Sequence, residues 1–495
     1  MLEMRLNEMK KSVTSNVIYN MLFQFFTTFL PVITTPYLSR TLGVSQSGVY
    51  SFVESIVTLF TVFGAIGTSL YGCRMIACVR DDKQKLSQTA YEIFMLKFLI
   101  LIPVIIIYIV LFCISGKYSI YFIVNILTVI GSAIEISWFF NGVEDFKLVT
   151  MRNFIIKIIF VVCLFIFIKS PDDLFKYVLL VCVSNFIGNL SMWICLPKYL
   201  LSIRKIEKLK PFKHLKESFK LFIPQSANYV YSLSDKTMLG ILTPTLDNVG
   251  IYDYSYRIVK MIISILQSIG YVILSRIANL SSKKDNEGIK KYIYKSINFS
   301  LFLALPMMFG LIGISNTFVP LYLGSEFIEV SKVIIIISPL VIITSFNSIL
   351  GVQLLLAIKK DKQYTIATVS GAIINILLNL IFIPVLGIYG ACITSLFSEI
   401  CVLIIQLYYS KEFISVMKIL KDNIKPFVFS IIIVLICNLI SIININALLV
   451  LLLQIIISSL VYFALMFFFK DEIFMEILSK TMSLFKKKKS KKRSA

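Results

Sequence analysis

Apolar residues in this chain come in runs of about twenty, separated by short polar or basic stretches. The runs fall at 14–38, 48–72, 90–114, 118–140, 153–169, 174–197, 219–243, 250–275, 293–315, 328–357, 364–385, 388–410, 426–445 and 446–469. Wound as α-helix, a run of that length crosses a hydrocarbon core of about 30 Å. The pattern predicts an all-α integral membrane protein with about fourteen transmembrane helices. Pro31, Pro224, Pro306 and Pro339 lie inside runs, which a packed bundle tolerates when neighbours satisfy the freed carbonyls. No cleavable signal precedes the first run, whose flank is the polar leader Met1 to Lys11, so that run reads as a retained helix.

Composition agrees with the pattern. Of 495 residues, 58% are hydrophobic and 15% charged, more apolar side chain than a soluble domain hides. The net charge of +22 raises the question of nucleic acid, and its distribution answers it. About 39 of the 49 Lys and Arg fall in one alternating set of segments: the N-terminus, 73–85, 147–152, 198–220, 276–295, 359–362, 411–425 and the tail from Lys470. Arg40, Lys117, Lys169, Lys176 and Lys332 fall in the opposite set. This positive-inside asymmetry, like an even number of spans, places both termini in the cytoplasm of a multi-pass cell-membrane protein. The tail "KKKKSKKR" (Lys486 to Arg493) then reads as a contact for anionic headgroups, not a nucleic-acid arm. Nine scattered Cys without a CxxC pair, one His (His214) and no GxxxxGK[ST] leave disulfides, metal sites, His-based catalysis and P-loop chemistry without material. The external connections are short, the longest around "NTFVPLYLGSEF" (Asn316 to Phe327). A transporter, not an enzyme, is expected.

One phrase occurs twice. "GVYSFVESIV" (Gly48 to Val57) opens the second run and "GIYDYSYRIV" (Gly250 to Val259) opens the eighth. An offset of six helices preserves orientation, as expected for two six-helix lobes related by an axis along the membrane normal. The basic loop "SIRKIEKLKPFKHLKESFK" (Ser202 to Lys220) would join them. The expected division is 1–210 for the N-lobe, 211–420 for the C-lobe, 421–470 for two extra helices facing lipid or packed peripherally, and 471–495 for a basic cytoplasmic tail.

Polar residues concentrate as stripes on four runs. The eighth carries Asp253, Arg257, Lys260, Ser264, Gln267 or Ser268, Tyr271 and Ser275 on one helical face. The seventh carries Gln225, Asn228, Ser232, Asp235 and Lys236; the first Asn16, Asn20, Gln24, Thr27 and Thr34; the second Tyr50, Glu54, Thr58, Thr61 and Ser69. Together these stripes would line a water-filled cleft between the lobes, since intramembrane ionisable groups are costly and usually face such a cavity. Interfacial placement is the plainer account of Asp253, Glu54 and Arg40, and pairing that of Asp235 with Lys236. Lys260, about 15 Å from the helix start, has neither excuse. Lys97, Lys157 and Glu399 read as packing or snorkelling residues. Around the expected cleft, Arg40, Lys236, Arg257 and Lys260 stand against Glu54, Asp235 and Asp253, so charge alone does not define an anion pathway. The pairing of Arg257 with Lys260 suits phosphate, and Tyr252, Tyr254, Tyr256 and Tyr271 suit sugar stacking or an interfacial belt.

"GVYSFVESIVTLFTVFGAIGTSLYGCRMIACVRDD" (Gly48 to Asp82), "EISWFFNGVEDFKLVTMRNFIIKI" (Glu135 to Ile158), "SDKTMLGIL" (Ser234 to Leu242) with "NVGIYDYSYRI", and "NILLNLIFIPVLGIYGACITSLFSE" (Asn375 to Glu399) resemble the polysaccharide flippases. These belong to the multidrug/oligosaccharidyl-lipid/polysaccharide exporter superfamily, and the resemblance spans nearly the whole chain. It implies a V-shaped, two-lobed bundle that carries an undecaprenyl-diphosphate-linked oligosaccharide, of capsule or a related glycan, to the outer leaflet by alternating access. By position it implies Arg257, Lys260 and Lys236 as substrate-binding cations, with Arg40 and Arg74 at the two ends of the route. Tyr252, Tyr256, Asn16, Asn20, Gln24 and Asn228 would line the way. Asp235, Asp253 and Glu54 would serve ion coupling or gating by H⁺ or Na⁺, with no other cofactor, and glycan polymerase machinery would be a neighbour. Rivals are a cation-coupled multidrug exporter of the same superfamily, a flippase for a teichoic-acid or peptidoglycan precursor, and a membrane glycan polymerase, which would need a large external loop.

Overall fold

In the computed structural model, residues 2–480 are described apart from 115, 207 and 269, and side chains from Leu30 onward except at 223–225, 227–228 and 268–272. The basic tail from 481 therefore lies outside the described residues, among which there are α-helices and short 3₁₀ and π segments but no strand. The chain divides into two compact units, Met1–Gly250 and Ile251–Ala495. In the first lie α1 (Leu2–Ala65), α2 (Thr68–Val79), α3 (Lys83–Tyr108), α4 (Ser119–Ile134), α5 (Ser137–Gly142), α6 (Phe146–Phe167), α7 (Leu174–Trp193) and α8 (Leu215–Leu242). Helix α9 (Asp247–Ser268) begins there and continues into the second unit. That unit holds α10 (Gly270–Ser282), α11 (Asn286–Tyr322), α12 (Ile328–Ile337), α13 (Leu340–Asn347), α14 (Asp361–Leu386), α15 (Ile388–Ser410), α16 (Val416–Asp422), α17 (Ile424–Ser441) and α18 (Ala447–Phe468).

Among the described residues, ten helical stretches are long and apolar enough to cross a membrane, and a bent pair about Pro339, Ser325–Ile337 with Leu340–Leu356 at 50°, makes up to eleven. The distance from the expected fourteen falls on particular helices. Leu30–Val79 counts as one stretch of 50 residues, although Gly43 (φ 70°, ψ −179°) breaks the helix between the first and second apolar runs. Helices α8 and α9 are missing from the ten. Both carry charged side chains, Asp235 and Lys236 on α8 and Asp253, Arg257 and Lys260 on α9, which lower their apolarity. Helix α8 packs with the first unit: Ser218 Oγ donates to the Ile66 carbonyl at 2.8 Å, and Thr237 Oγ1 meets Ser55 Oγ at 2.9 Å. The first compact unit thus extends to Gly250 and includes α8.

The repeated phrase is repeated in backbone as well. Gly48 and Gly250 are 202 residues apart. At the same spacing, Thr68, which starts α2, matches Gly270, which starts α10, and Arg74 matches Arg276. One residue further on, Asp82 and Asp285 cap α3 and α11 by accepting backbone N–H groups. The first break needs positive φ at Ile66 (40°) and Gly67 (72°). The two phrase glycines also pack on one another. A Cβ on Gly48 would sit 2.0 Å from the Leu246 carbonyl oxygen, and one on Gly250 2.9 Å from the Gly48 nitrogen.

Four basic connections use a single turn. Glu144, Lys284, Lys359 and Lys470 adopt positive φ. In each case the next residue donates its N–H five residues back, Asp145 to Phe140, Asp285 to Leu280, Lys360 to Leu355 and Asp471 to Met466. This is the Schellman closure, in which recovered carbonyl bonds offset the cost of a left-handed residue. Asp145, Asp285 and Asp471 then cap the helix that follows.

Candidate functional site

Helix α9 sorts its polar residues by burial. Tyr252 is 1% exposed and its hydroxyl lies 2.9 Å from Ser395 Oγ; Tyr254 is buried edge-on to Phe327. Ser255 Oγ donates to the Ile251 carbonyl at 2.7 Å. Asp253, 2% exposed, accepts from Arg257 Nε at 2.8 Å, the i,i+4 pair expected on a helix, while Arg257 keeps 40% of its side chain exposed. Tyr256 stacks on Tyr252 at 6.1 Å, and the Lys260 ammonium lies 5.8 Å from the Tyr256 ring centre. Lys260, Ser264 and Gln267 are exposed. Arg257, Lys260, Ser264 and Gln267 thus form one accessible strip at helical spacing, two cations followed by two neutral hydrogen-bonding groups.

The other expected residues are distributed differently. Asp235 and Lys236 on α8 are 5% and 8% exposed, so neither presents an open charge here. Glu54 is half-buried and accepts from Tyr50 Oη at 3.4 Å. Arg74 is exposed on α2. Arg40 is exposed on α1 and lines an open cavity of about 580 Å³ with Pro36, Tyr37, Thr41, Lys169, Ser170 and Pro171. The side chains of Asn16, Asn20, Gln24 and Asn228 lie outside the described residues. Among the described residues no three His, Cys, Asp or Glu side chains gather as metal ligands would.

Three features escape the sequence reading. First, α17 and α18, expected to be peripheral, wall an apolar cavity of about 320 Å³ with α9 and α11. Its lining includes Ile262, Ile265, Met307, Gly310, Cys437, Gln454 and Tyr462. Gln454 had no signal beyond being one amide in an apolar run; it is fully buried and donates to the Cys437 carbonyl at 3.0 Å. Second, Asn375, Asn379 and Thr394 are fully buried and linked, Asn379 Nδ2 donating to Asn375 Oδ1 at 3.2 Å and Thr394 Oγ1 donating to Asn379 Oδ1. The i,i+4 asparagines in "NILLN" were the visible clue.

Third, the lone histidine fastens the foot of α8. His214, 2% exposed, places Nδ1 2.7 Å from Tyr71 Oη and Nε2 3.0 Å from Glu92 Oε2. Glu92 also pairs with Lys213 Nζ at 2.5 Å and accepts the Lys210 N–H at 3.0 Å. A neutral ring with Nε2–H satisfies both contacts, Tyr71 donating and Glu92 accepting. Burial pushes the His214 pKa below its ordinary value; the Glu92 hydrogen bond opposes this, and Lys213 adds to it.

The profile of the family described as "Polysaccharide biosynthesis protein" matches residues 13–281, and that of MatE matches 221–381. A protein of Escherichia coli K12 named "Putative O-antigen transporter" is 24% identical over 420 residues, covering 82% of this chain and 99% of the relative. Haloferax volcanii has a protein named "Probable low-salt glycan biosynthesis flippase Agl15", 30% identical over 188 residues, or 38% of this chain and 39% of that one. Among solved structures, the lipid II flippase MurJ in its inward closed conformation superposes with a TM-score of 0.67 at 19% identity, over 92% of this chain and 100% of the other. An inward-facing multidrug resistance MATE transporter of the MOP superfamily gives 0.59 at 13%, over 79% and 98%. At such identities the structural likeness is one of fold.

Proposed function

The chain belongs to the polysaccharide biosynthesis protein family, and on that premise we propose that it flips an undecaprenyl-diphosphate-linked oligosaccharide from the inner to the outer leaflet. The observation that carries this reading is the accessible strip of α9, where the half-exposed Arg257 and the exposed Lys260 share one helical face. Intramembrane cations are costly and suit a substrate that brings two phosphates. Asp253 holds the Arg257 guanidinium through Nε, and a planar guanidinium fixed in this way suits phosphate oxygens. Ser264 and Gln267 continue the strip toward the cytoplasmic end with groups that suit sugar hydroxyls. The apolar cavity beside Ile262 and Ile265 suits part of the polyprenyl chain. The names of the E. coli and Haloferax relatives point to the same class of cargo.

Transport by alternating access, reset by H⁺ or Na⁺, completes the proposal. Asp235 and Asp253, both buried, and the half-buried Glu54 are the carboxylates offered for coupling. A flip rate indifferent to imposed ion gradients and voltage would remove that part. The MatE match over 221–381 favours a second reading, a cation-coupled multidrug exporter. The test is the side of the membrane on which lipid-linked oligosaccharide accumulates when the gene is deleted in its host. The flippase reading expects cytoplasmic build-up, relieved by wild type but not by an Arg257→Ala/Lys260→Ala protein of equal abundance. No build-up, with increased sensitivity to cationic drugs, would support the exporter.

A further inference from the structure

Among the described residues, Lys97, Arg257 and Glu399 have polar partners, whereas Lys157 has none. Lys97 is fully buried, with Nζ 2.7 Å from the Glu135 carbonyl. Arg257 meets Asp253, and the Glu399 carboxylate accepts from Asn347. Lys157 makes no ion pair and no side-chain hydrogen bond among the described residues. It sits eleven residues from Phe146 and ten from Phe167 in α6, so about 15 Å of helix separates it from either end. A lysine stem covers less than half that distance, so the ammonium does not reach either end of the helix. The residue is exposed, on a span of which only 11% of the apolar window is buried. One turn before it on the same face, Asn153 is half-buried and also makes no side-chain hydrogen bond among the described residues. Arg152, beside it, is instead turned to α7, with Nη2 2.8 Å from Met192 Sδ.

We propose that Lys157, with Asn153, forms a mid-membrane subsite for a phosphate group of the transported lipid. The proposal rests on the flippase reading above. An open ammonium at this depth needs a counter-charge that comes and goes, since a permanent one would be visible as a pair. Phosphates of resident lipids stay at the headgroup level, so the anion that reaches this depth is one being carried across. Lys157 supplies the charge, and the Asn153 amide supplies an N–H to a phosphate oxygen or a neighbouring sugar hydroxyl.

The experiment measures binding of a fluorescent polyprenyl diphosphate to the full chain in nanodiscs, with the unphosphorylated polyprenol as control. It is run with and without phosphatidylglycerol, and melting temperature is followed throughout. Lys157→Gln is expected to weaken diphosphate binding about tenfold and Lys157→Arg less than threefold, polyprenol binding and melting temperature holding steady. Asn153→Ala, a second variant should the first fold poorly, is expected to weaken it about threefold. Wild-type affinity in Lys157→Gln would overturn the subsite and leave the function standing. A wild type that binds diphosphate no better than polyprenol would sink both. Phosphatidylglycerol that displaces the probe from wild type but not from Lys157→Gln would make this a lipid-headgroup site and overturn the assignment to cargo.

Discussion

Gly48 to Ala65 in α1 and Gly250 to Gln267 in α9 are equivalent helices with different side chains at matching positions. Ser51 and Asp253 are both 2% exposed. Ser55 is 1% exposed and bound to Thr237, whereas its equivalent Arg257 leaves 40% of its side chain open. Thr58 is half-buried and its equivalent Lys260 exposed. The first copy shows that small hydroxyls suffice to build and pack this helix. The second carries ions that the architecture does not require, each costing about 3 kcal/mol at mid-membrane when unsatisfied. Charge in the second copy is therefore better explained by a task than by packing.

The shared part of the comparison is the one expected to break most severely. Gly48→Ala drives a Cβ onto the Leu246 carbonyl, and a loss of about 3 kcal/mol or failure to fold is expected, read as monodispersity and melting temperature in detergent. A stable Gly48→Ala protein would mean that the glycine contact is not what the phrase preserves. Next comes the ion pair. Arg257→Ala should cost about 2 kcal/mol, discounted for the exposure of the guanidinium, and lower transport about a hundredfold. Asp253→Asn/Arg257→Gln separates the two effects, since stability should return and transport should not. Recovery of both would make the pair scaffold.

Gly310 sharpens the comparison from the side of the apolar cavity. It lines that cavity, and a Cβ added there meets no atom within 4 Å. Gly310→Leu should leave melting temperature unchanged or raise it, given leucine's better helix propensity, while polyprenyl-diphosphate affinity falls about fivefold. Unaltered affinity would remove the cavity from the substrate's path. The smallest effect concerns His214. Its pKa is lowered by folding from an unfolded value of about 6.5, so the folded chain binds fewer protons. That stability is present above pH about 6.5 and is lost as pH falls below it. Melting temperature should drop a few degrees at most between pH 7.5 and 5.5, and the drop should flatten in His214→Gln. An identical drop in the variant would place the titration elsewhere.

Hydropathy alone located nearly every long helix, because about twenty apolar residues in a row have little else to be. It could not show the break at Ile66–Gly67, where the sequence stays apolar, nor the division of 328–357 into α12, α13 and a π segment. Helical spacing placed Asp253 and Arg257 on one face, and the structure joins them within one turn. Burial of Lys236 depends on what packs against α8, and one strand of sequence carries no record of that. The cavity at Gln454 and the His214 contacts are non-local in the same way: His214 lies 143 residues from Tyr71 and 122 from Glu92.

The most direct test is reconstitution. Proteoliposomes holding the purified chain and a fluorescent undecaprenyl-diphosphate oligosaccharide would be sampled for arrival of headgroup at the opposite leaflet by a membrane-impermeant quencher. The account predicts protein-dependent flipping that falls about a hundredfold in Arg257→Ala/Lys260→Ala. Flipping at the wild-type rate in that variant, or none above empty liposomes in the wild type, would contradict it.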